Sequence, residues 1–260
     1  MSGGAVTVER DGTIATVTLS SPGRMNALDK TMWAQLGAAM SALGADDSLR
    51  CVVLRGAGDK AFAAGADIAE FHTERANSKQ AKAYSQGGIG WMHAVAECRH
   101  PTVALIQGAC VGGGLLVASQ CDLRICNESA RFGVPVKNLG LTESYDELQA
   151  MMRVIGPASS LEILLEGRIW GAREAYEKGL VNRVLPDAGV VEEAYAAARR
   201  IADGAPLVAR WHKKFIRRLL DARPLTQEER DEGYACFDTE DFRTGVAAFI
   251  AKKKPDFAGR

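Results

Sequence analysis

Apolar and polar positions change rhythm several times along the first half of the chain. Thr13–Leu19 (TIATVTL) is rich in β-branched residues and is closed by Ser20-Ser21-Pro22-Gly23, which predicts a strand and a turn. Leu28, Met32, Leu36, Ala39 and Leu43, with Trp33 and Met40 beside them, then recur at helical spacing, and this helix is expected to end near Gly44. Cys51–Leu54 reads as a short buried strand, and 56–65 as a loop of small residues. A polar stretch, expected to be surface helix and loop, leads to a second buried strand over Thr102–Ile106. A glycine cluster follows, then a small-residue helix over Leu115–Gln120 and a strand over 123–126. Strands separated by helices specify an α/β fold with a parallel or mixed sheet.

From about residue 157 the pattern is helix after helix. Ser159-Ser160-Leu161-Glu162 has capping-box spacing for a short helix stopped by Gly167. Residues 172–178 carry a Glu174–Lys178 pair at i,i+4 and stop at Gly179. Further helices are expected over 191–202, 207–220 and 241–253. No internal repeat or low-complexity linker interrupts the chain.

Composition narrows the function classes. The 260 residues are 47% apolar and 25% charged, which excludes a long disordered tract. The 32 basic residues balance 32 acidic ones, so no global field favours nucleic acid or an anionic membrane. No apolar run reaches the ~18 residues of a membrane span. The start, Met1-Ser2-Gly3-Gly4-Ala5, has no basic segment followed by an apolar one and so gives no sign of secretion. Six scattered cysteines, most of them inside apolar runs, fit the reduced thiols of a cytoplasmic protein better than a disulfide frame.

Most chemical motifs fail on context. Gly56-Ala57-Gly58-Asp59-Lys60-Ala61 fits a dinucleotide fingerprint, but it lies outside the first βα unit and Phe62-Ala63-Ala64-Gly65 is a poor helix start, so a nicotinamide enzyme is a minor alternative. There is no P-loop and no nucleophile elbow. The four histidines are widely spaced and no metal site is expected. Two glycine-rich segments are more informative: Ala63-Ala64-Gly65-Ala66-Asp67-Ile68, and Gln107-Gly108-Ala109-Cys110-Val111-Gly112-Gly113-Gly114, which opens a helix. Backbone free of side chains lets N–H groups approach a ligand, and two such donors from separate loops can hold one oxyanion. Tight strand-to-helix packing explains the same glycines equally well.

The order of motifs over nearly the whole chain resembles the enoyl-CoA hydratase/isomerase (crotonase) superfamily. It is carried by Met25-Asn26-Ala27-Leu28, Ala64-Gly65-Ala66-Asp67-Ile68, the 108–114 glycine run, Cys121-Asp122, Phe132-Gly133-Val134-Pro135 with Leu139-Gly140, Gly179-Leu180-Val181, and the tail from Ala248 to Pro255. The resemblance implies a crotonase-like spiral of ββα units over residues 1–200 and a C-terminal helical oligomerisation region over 201–260, giving homotrimers or homohexamers. It also implies an acyl-CoA thioester as substrate, with no separate cofactor. The amides of Ala66 and Gly113 would bind the thioester oxygen and stabilise its enolate. Coenzyme A would be met by Arg24 with Met25, by Ala64, Ala66, Asp67 and Ile68 around the adenine, and by Phe249 and Lys252 reaching from a neighbouring subunit. Phe242, Val246 and Phe249 are also spaced as a helix face directed at a core, and Lys252–Lys254 also suits a helix C-terminus.

The family's hydratase glutamates are missing. Where one follows the glycine run this chain has Leu116, and where the other follows Pro135 it has Val136. In place of a further glycine-rich stretch stands Glu143-Ser144-Tyr145-Asp146-Glu147. Glu143 is the first candidate for a displaced general acid/base, Asp146 the second, and Tyr145 a hydrogen-bond donor. Burial beside Leu116 and Val136 would raise the Glu143 pKa. The competing reading has this acidic run capping the helix that carries Leu148, Met151, Met152 and Ile155, with Lys137 a surface residue. Isomerisation or decarboxylation is therefore favoured over hydration, against the alternative of a non-catalytic acyl-CoA-binding or scaffold protein. Residues between about His72 and Ala94 carry no readable motif.

Overall fold

The computed structural model describes residues 3–260, and the backbone alone of residues 86–89. Met1 and Ser2, part of the segment read for a leader, lie outside the described residues. The chain opens with an antiparallel hairpin of β1 (Ala5–Asp11) and β2 (Ile14–Ser20), followed by α1 (Lys30–Ala45). A long strand is then followed by a short one three times in succession: β3 (Cys51–Gly56) by β4 (Ala61–Ala63), β5 (Thr102–Ile106) by β6 (Ala109–Val111), and β7 (Leu123–Asn127) by β8 (Arg131–Gly133). Between these pairs lie α2 (Phe71–Glu74), α3 (Ser78–Glu97) and α4 (Gly113–Gln120). After them come α5 (Tyr145–Glu166), β9 (Trp170–Gly171), α6 (Ala172–Glu177), β10 (Arg183–Leu185) and α7 (Val190–Ala202). The remaining helices are α8 (Pro206–Leu219), α9 (Gln227–Glu232) and α10 (Glu240–Ile250).

The long strands form one sheet, β1-β2-β3-β5-β7-β10, and the short ones a second, β4-β6-β8-β9. Within the large sheet every pairing after the hairpin is parallel, with Val52 opposite Thr102 and Val103 opposite Leu123. Each turn of chain adds one strand to each sheet and is followed by helix, which is the expected spiral of ββα units. Alternate residues of the central strands serve two cores. Val52, Leu54, Ala104 and Ile106 face the larger core with α1, while Val53, Val103, Leu105 and Ile125 face the alanine-rich side of α7. Burial on both faces is why these strands read as continuous apolar runs.

Several expectations need correction. The hairpin strand β1 went unread because its side chains are largely exposed. The stretch 56–65 contains β4, so a strand, not a helix, follows the dinucleotide-like glycines, and that fingerprint has no helix end to offer a phosphate. The helix expected from Ser159 starts earlier: Gly156 breaks α5 at φ +70°, Pro157 takes the first helical position, and Gly167 ends the helix in the left-handed region as predicted. Lys178 does not pair with Glu174. It reaches Glu162 at 2.7 Å, while Glu174 is taken by Arg168 at 2.8 Å. Phe242, Val246 and Phe249 are exposed rather than directed at a core of this chain. The cysteines are free, and burial pushes the thiols of Cys51, Cys121 and Cys126 up to about 12.

Asp122 fastens α8 to this frame. Its carboxylate accepts from the Thr102 amide at 2.8 Å and hydroxyl at 2.9 Å, and pairs with Lys213 at 2.7 Å and Arg217 at 2.9 Å. The Lys213 side chain is only 8% exposed. Removing one partner of such a pair strands the other charge away from water. Asp122→Ala is therefore expected to destabilise the protein by about 3 kcal/mol in urea denaturation. Alanine at Asp47, whose pair with Arg99 lies at the surface, should cost less than about 1 kcal/mol.

Candidate active site

Two glycine turns meet at one point of the interior. Gly65, at φ +106°, lies beside the second turn: a Cβ on it would stand 3.3 Å from the Val111 carbonyl oxygen and 3.6 Å from the Gly113 nitrogen. Gly114 is tighter still, since its Cβ would fall 2.2 Å from the Ala63 carbonyl oxygen, a distance that excludes any side chain. A Cβ on Gly113 would in turn lie 3.5 Å from the Ala66 nitrogen.

The hydrogen bonding around these turns leaves two amides over. The Gly65 carbonyl accepts from Leu28 at 2.8 Å, and the Asp67 amide donates to the Leu28 carbonyl at 2.9 Å. Successive amides of an extended segment point to opposite sides, so the Ala66 amide is turned away from Leu28. Across from it, the Gly112 amide donates to Gly133 at 2.8 Å, and Gly113 is the first residue of α4, whose amide has no intrahelical acceptor. Both Ala66 and Gly113 line a cavity of about 530 Å³. Trp33 packs against Gly113 and stacks on Trp91 with ring centres 4.3 Å apart.

The Met25-Asn26 pair holds the first turn in place. Asn26 sits at φ +57°, a region its short amide tolerates. Its buried side chain accepts from Ser21 at 3.2 Å and donates to the carbonyls of Ala57 at 3.0 Å and Ala61 at 2.8 Å. The Met25 carbonyl receives the Ala64 amide at 3.0 Å. Ala64 and Ile68 line the cavity, whereas Asp67 turns aside to accept from Ala69 at 3.1 Å and to pair with Arg24. Arg24 also donates to the Ser21 hydroxyl at 3.0 Å and lies near Asp29 at 3.7 Å, so its guanidinium is already engaged at the edge of the turn.

The opposite wall comes from Pro135, Val136 and the start of α5. Leu116 is buried, Val136 is half-buried, and both face the cavity with Glu143. The Glu143 carboxyl is pushed up to about 7, chiefly by burial, then by the charge and hydrogen bonding of Glu147, with Arg75 opposing. Glu147 completes a capping box with Ser144, accepting from its amide and hydroxyl at 2.7 Å each. The acidic run thus divides its work: Ser144 and Glu147 cap the helix, while Glu143 faces the cavity. Asp146 reaches the cavity wall as an exposed residue. Tyr145 does not join them. As the first residue of α5 it projects outward, 93% exposed, which removes it as a donor to this cavity.

Phe249 is 84% exposed on α10, and Lys252 lies just past its end at φ +54°; neither lines the cavity of its own chain. Lys137 donates to the Leu165 carbonyl at 2.9 Å, away from the site. Among the described residues no cluster of His, Cys, Asp or Glu has the makings of a metal site. His100 is buried, bonded to the Asp46 carbonyl at 2.9 Å, and lowered to about 4, chiefly by desolvation. No helix among the described residues is long and apolar enough to cross a membrane.

Sequence reading missed the wall built by α2 and α3: Phe71, Arg75, Ala81, Tyr84, Trp91 and Met92. A signal existed, since Ala81, Tyr84, Trp91 and Val95 follow one another at separations of three, seven and four. It was hidden by the polar and glycine residues between them.

The model of the "Enoyl-CoA hydratase/isomerase" family matches residues 9–260. A protein of Rhizobium meliloti named "Probable enoyl-CoA hydratase" is 37% identical over the full length of both chains. The short-chain-enoyl-CoA hydratase of Clostridium acetobutylicum is 30% identical over 96% of this chain and 95% of its own. The crystal structure of an enoyl-CoA hydratase/carnithine racemase from Magnetospirillum magneticum superposes with a TM-score of 0.97 at 51% identity, covering 98% of this chain and 96% of that one. The chain belongs to the enoyl-CoA hydratase/isomerase family, and its fold is the crotonase fold.

Raising the Glu143 pKa means that the folded state disfavours its charge. Between the ordinary carboxylate range and about 7 the folded protein binds more protons than the unfolded chain, so stability falls as pH rises through that window. Glu143→Gln removes the penalty. The variant is expected to melt above the wild type at about pH 8, with the difference shrinking towards pH 5, as followed by circular dichroism.

Proposed function

We propose that the protein acts on an acyl-CoA thioester, whose carbonyl oxygen receives the Ala66 and Gly113 amides. The carrying observation is the juxtaposition of two uncommitted amides, from separate turns, with the Glu143 carboxyl, pushed up to about 7, in a cavity that Leu116 and Val136 also line. A thioester enolate concentrates charge on that oxygen, and preorganised donors stabilise it without reorganisation. Ala64 and Ile68 border the entrance, with Arg24 and Asp67 at its edge for the phosphates and adenine.

Glu143 is the acid/base in this reading. In isomerisation its carboxylate takes a proton from the α-carbon, the electron pair moves into the enolate, and the same carboxyl returns the proton at the γ-carbon. In decarboxylation the carbon–carbon pair becomes the enolate as carbon dioxide leaves, and protonated Glu143 supplies the α-proton. A carboxyl near 7 is available in both forms at neutral pH. Adding water asks for groups that orient and deprotonate it, and Leu116 and Val136 offer none; isomerisation or decarboxylation is accordingly preferred. The same two aliphatic residues also favour a second reading, a non-catalytic acyl-CoA binder.

We further assign residues 1–200 to the catalytic spiral and 201–260 to oligomerisation, as trimers or hexamers. Exposed Leu219, Leu220, Phe237, Phe242, Phe249 and Ile250 support a shared surface there. Phe249 and Lys252 would reach coenzyme A from a neighbouring copy. The free thiols support a cytoplasmic location.

A panel of enoyl-, dienoyl- and malonyl-type CoA esters tests the reaction. On whichever ester turns over, Glu143→Gln is expected to lower kcat by about 10²–10⁴ with little change in KM. The rate should also lose its inflection near pH 7. Unchanged turnover would remove Glu143 from the chemistry. Calorimetric binding with no turnover across the panel would establish the binder instead. Gly113→Pro deletes one amide at a position where helices accept proline and should cost about 10²–10³ in kcat/KM beyond Gly113→Ala, which keeps the amide and brings a similar clash with Trp33.

A further inference from the structure

The cavity holds a charge that the proposed chemistry does not use. Arg75 lies between α2 and α3, half-buried and lining the cavity. Its guanidinium carbon stands 4.0 Å from the centre of the Tyr84 ring and 4.9 Å from that of Phe71. Among the described residues it forms no ion pair: Glu143 feels its charge, yet no carboxylate oxygen comes within pairing distance. Stacking occupies the faces of a guanidinium and leaves its in-plane N–H groups, the fork that matches a carboxylate.

The surroundings are rich in donors. Trp33 is 5% exposed, lines the same cavity, and its buried Nε1 has no acceptor within hydrogen-bond range. The Tyr84 hydroxyl is raised above its ordinary pKa, chiefly by burial. Glu143, Asp146 and Glu147 stand on the α5 side, and Glu147 is spent on the Ser144 cap. Arg75 is thus a cavity-lining cation without an ion pair, beside an indole N–H without an acceptor, and a ligand that brings an oxyanion to this side can meet both, with the α5 carboxyls on the other side of the cavity.

Resting on the acyl-CoA reading above, we propose that Arg75 is a specificity-determining residue that selects acyl groups bearing a terminal carboxylate, so that the preferred ligands are monothioesters of dicarboxylic acids. The two aromatic rings that would otherwise receive a cationic acyl group already hold the guanidinium, so a trimethylammonium-bearing acyl chain is disfavoured at the same place.

Isothermal titration of the full chain tests this with succinyl-, glutaryl- and adipyl-CoA against butyryl-, pentanoyl- and hexanoyl-CoA. At one or more lengths the wild type is expected to bind the carboxylated thioester at least about 10-fold more tightly than its neutral counterpart, since a hydrogen-bonded charge pair replaces water contacts. Arg75→Leu should abolish that preference, and Arg75→Lys, with the charge but not the fork, should retain part of it. Neutral thioesters binding as well as carboxylated ones at every length would overturn the Arg75 assignment alone. Equal weakening of both classes in Arg75→Leu, with an unchanged thermal melt, would also overturn it, because the residue would then shape the cavity without reading charge. Failure of all six thioesters to bind the wild type would sink the acyl-CoA reading itself and this assignment with it.

Discussion

Everything at the candidate site depends on how near two stretches of backbone can come. The Ala63 carbonyl and Gly114 leave no room between them for a methyl group, and Gly65, in the left-handed region at φ +106°, lies beside Gly112 and Gly113. That approach brings the amides of Ala66 and Gly113 to one cavity. It is possible because the spiral lays β4 beside β6 in the small sheet, so that the turn after each strand emerges at the same edge. The large sheet and its two cores act mainly as the frame that holds this edge still.

Around the amides the cavity wall is unevenly polar. Leu116 and Val136 make one side a poor solvent for charge, and that same poverty, together with Glu147, keeps Glu143 from ionising at its ordinary pH. Carboxylates at the two aliphatic positions would have met each other and Glu143 in a small volume. With those positions apolar, the carboxyls on the wall all come from the start of α5 and the residues before it: Glu143, Asp146 and Glu147. Arg75 sits across the same space without an ion pair, so the cavity offers a ligand both a proton-exchanging group and a fixed positive charge.

Much of this was legible in the sequence, for reasons that differ by element. The central strands were readable because burial on both faces turns them into apolar runs, as at Thr102–Ile106, whose bounds matched the structure. The glycine turns were readable because close backbone contact demands the absence of a side chain. Strand β1 was not, since it pairs along one edge with mostly exposed side chains. Tyr145 could not be placed from its neighbours: Glu143 precedes the Ser144 cap whereas Tyr145 is the first residue of α5, and the change from loop to helix at Ser144 separates their side chains. The α2–α3 wall escaped notice because its cavity-facing residues come from a helix whose intervening positions are polar, so the arrangement of Arg75 on Tyr84 exists only in three dimensions.

The stacked pair of Trp33 and Trp91 gives the molecule a built-in optical reporter. Two of its four indoles line the cavity, one of them against Gly113. A ligand that enters displaces solvent from these chromophores and changes the field they sense, so occupancy is transduced into emission intensity and wavelength without any attached label. Trp170, wholly enclosed in β9 beside β8, supplies a steady internal reference.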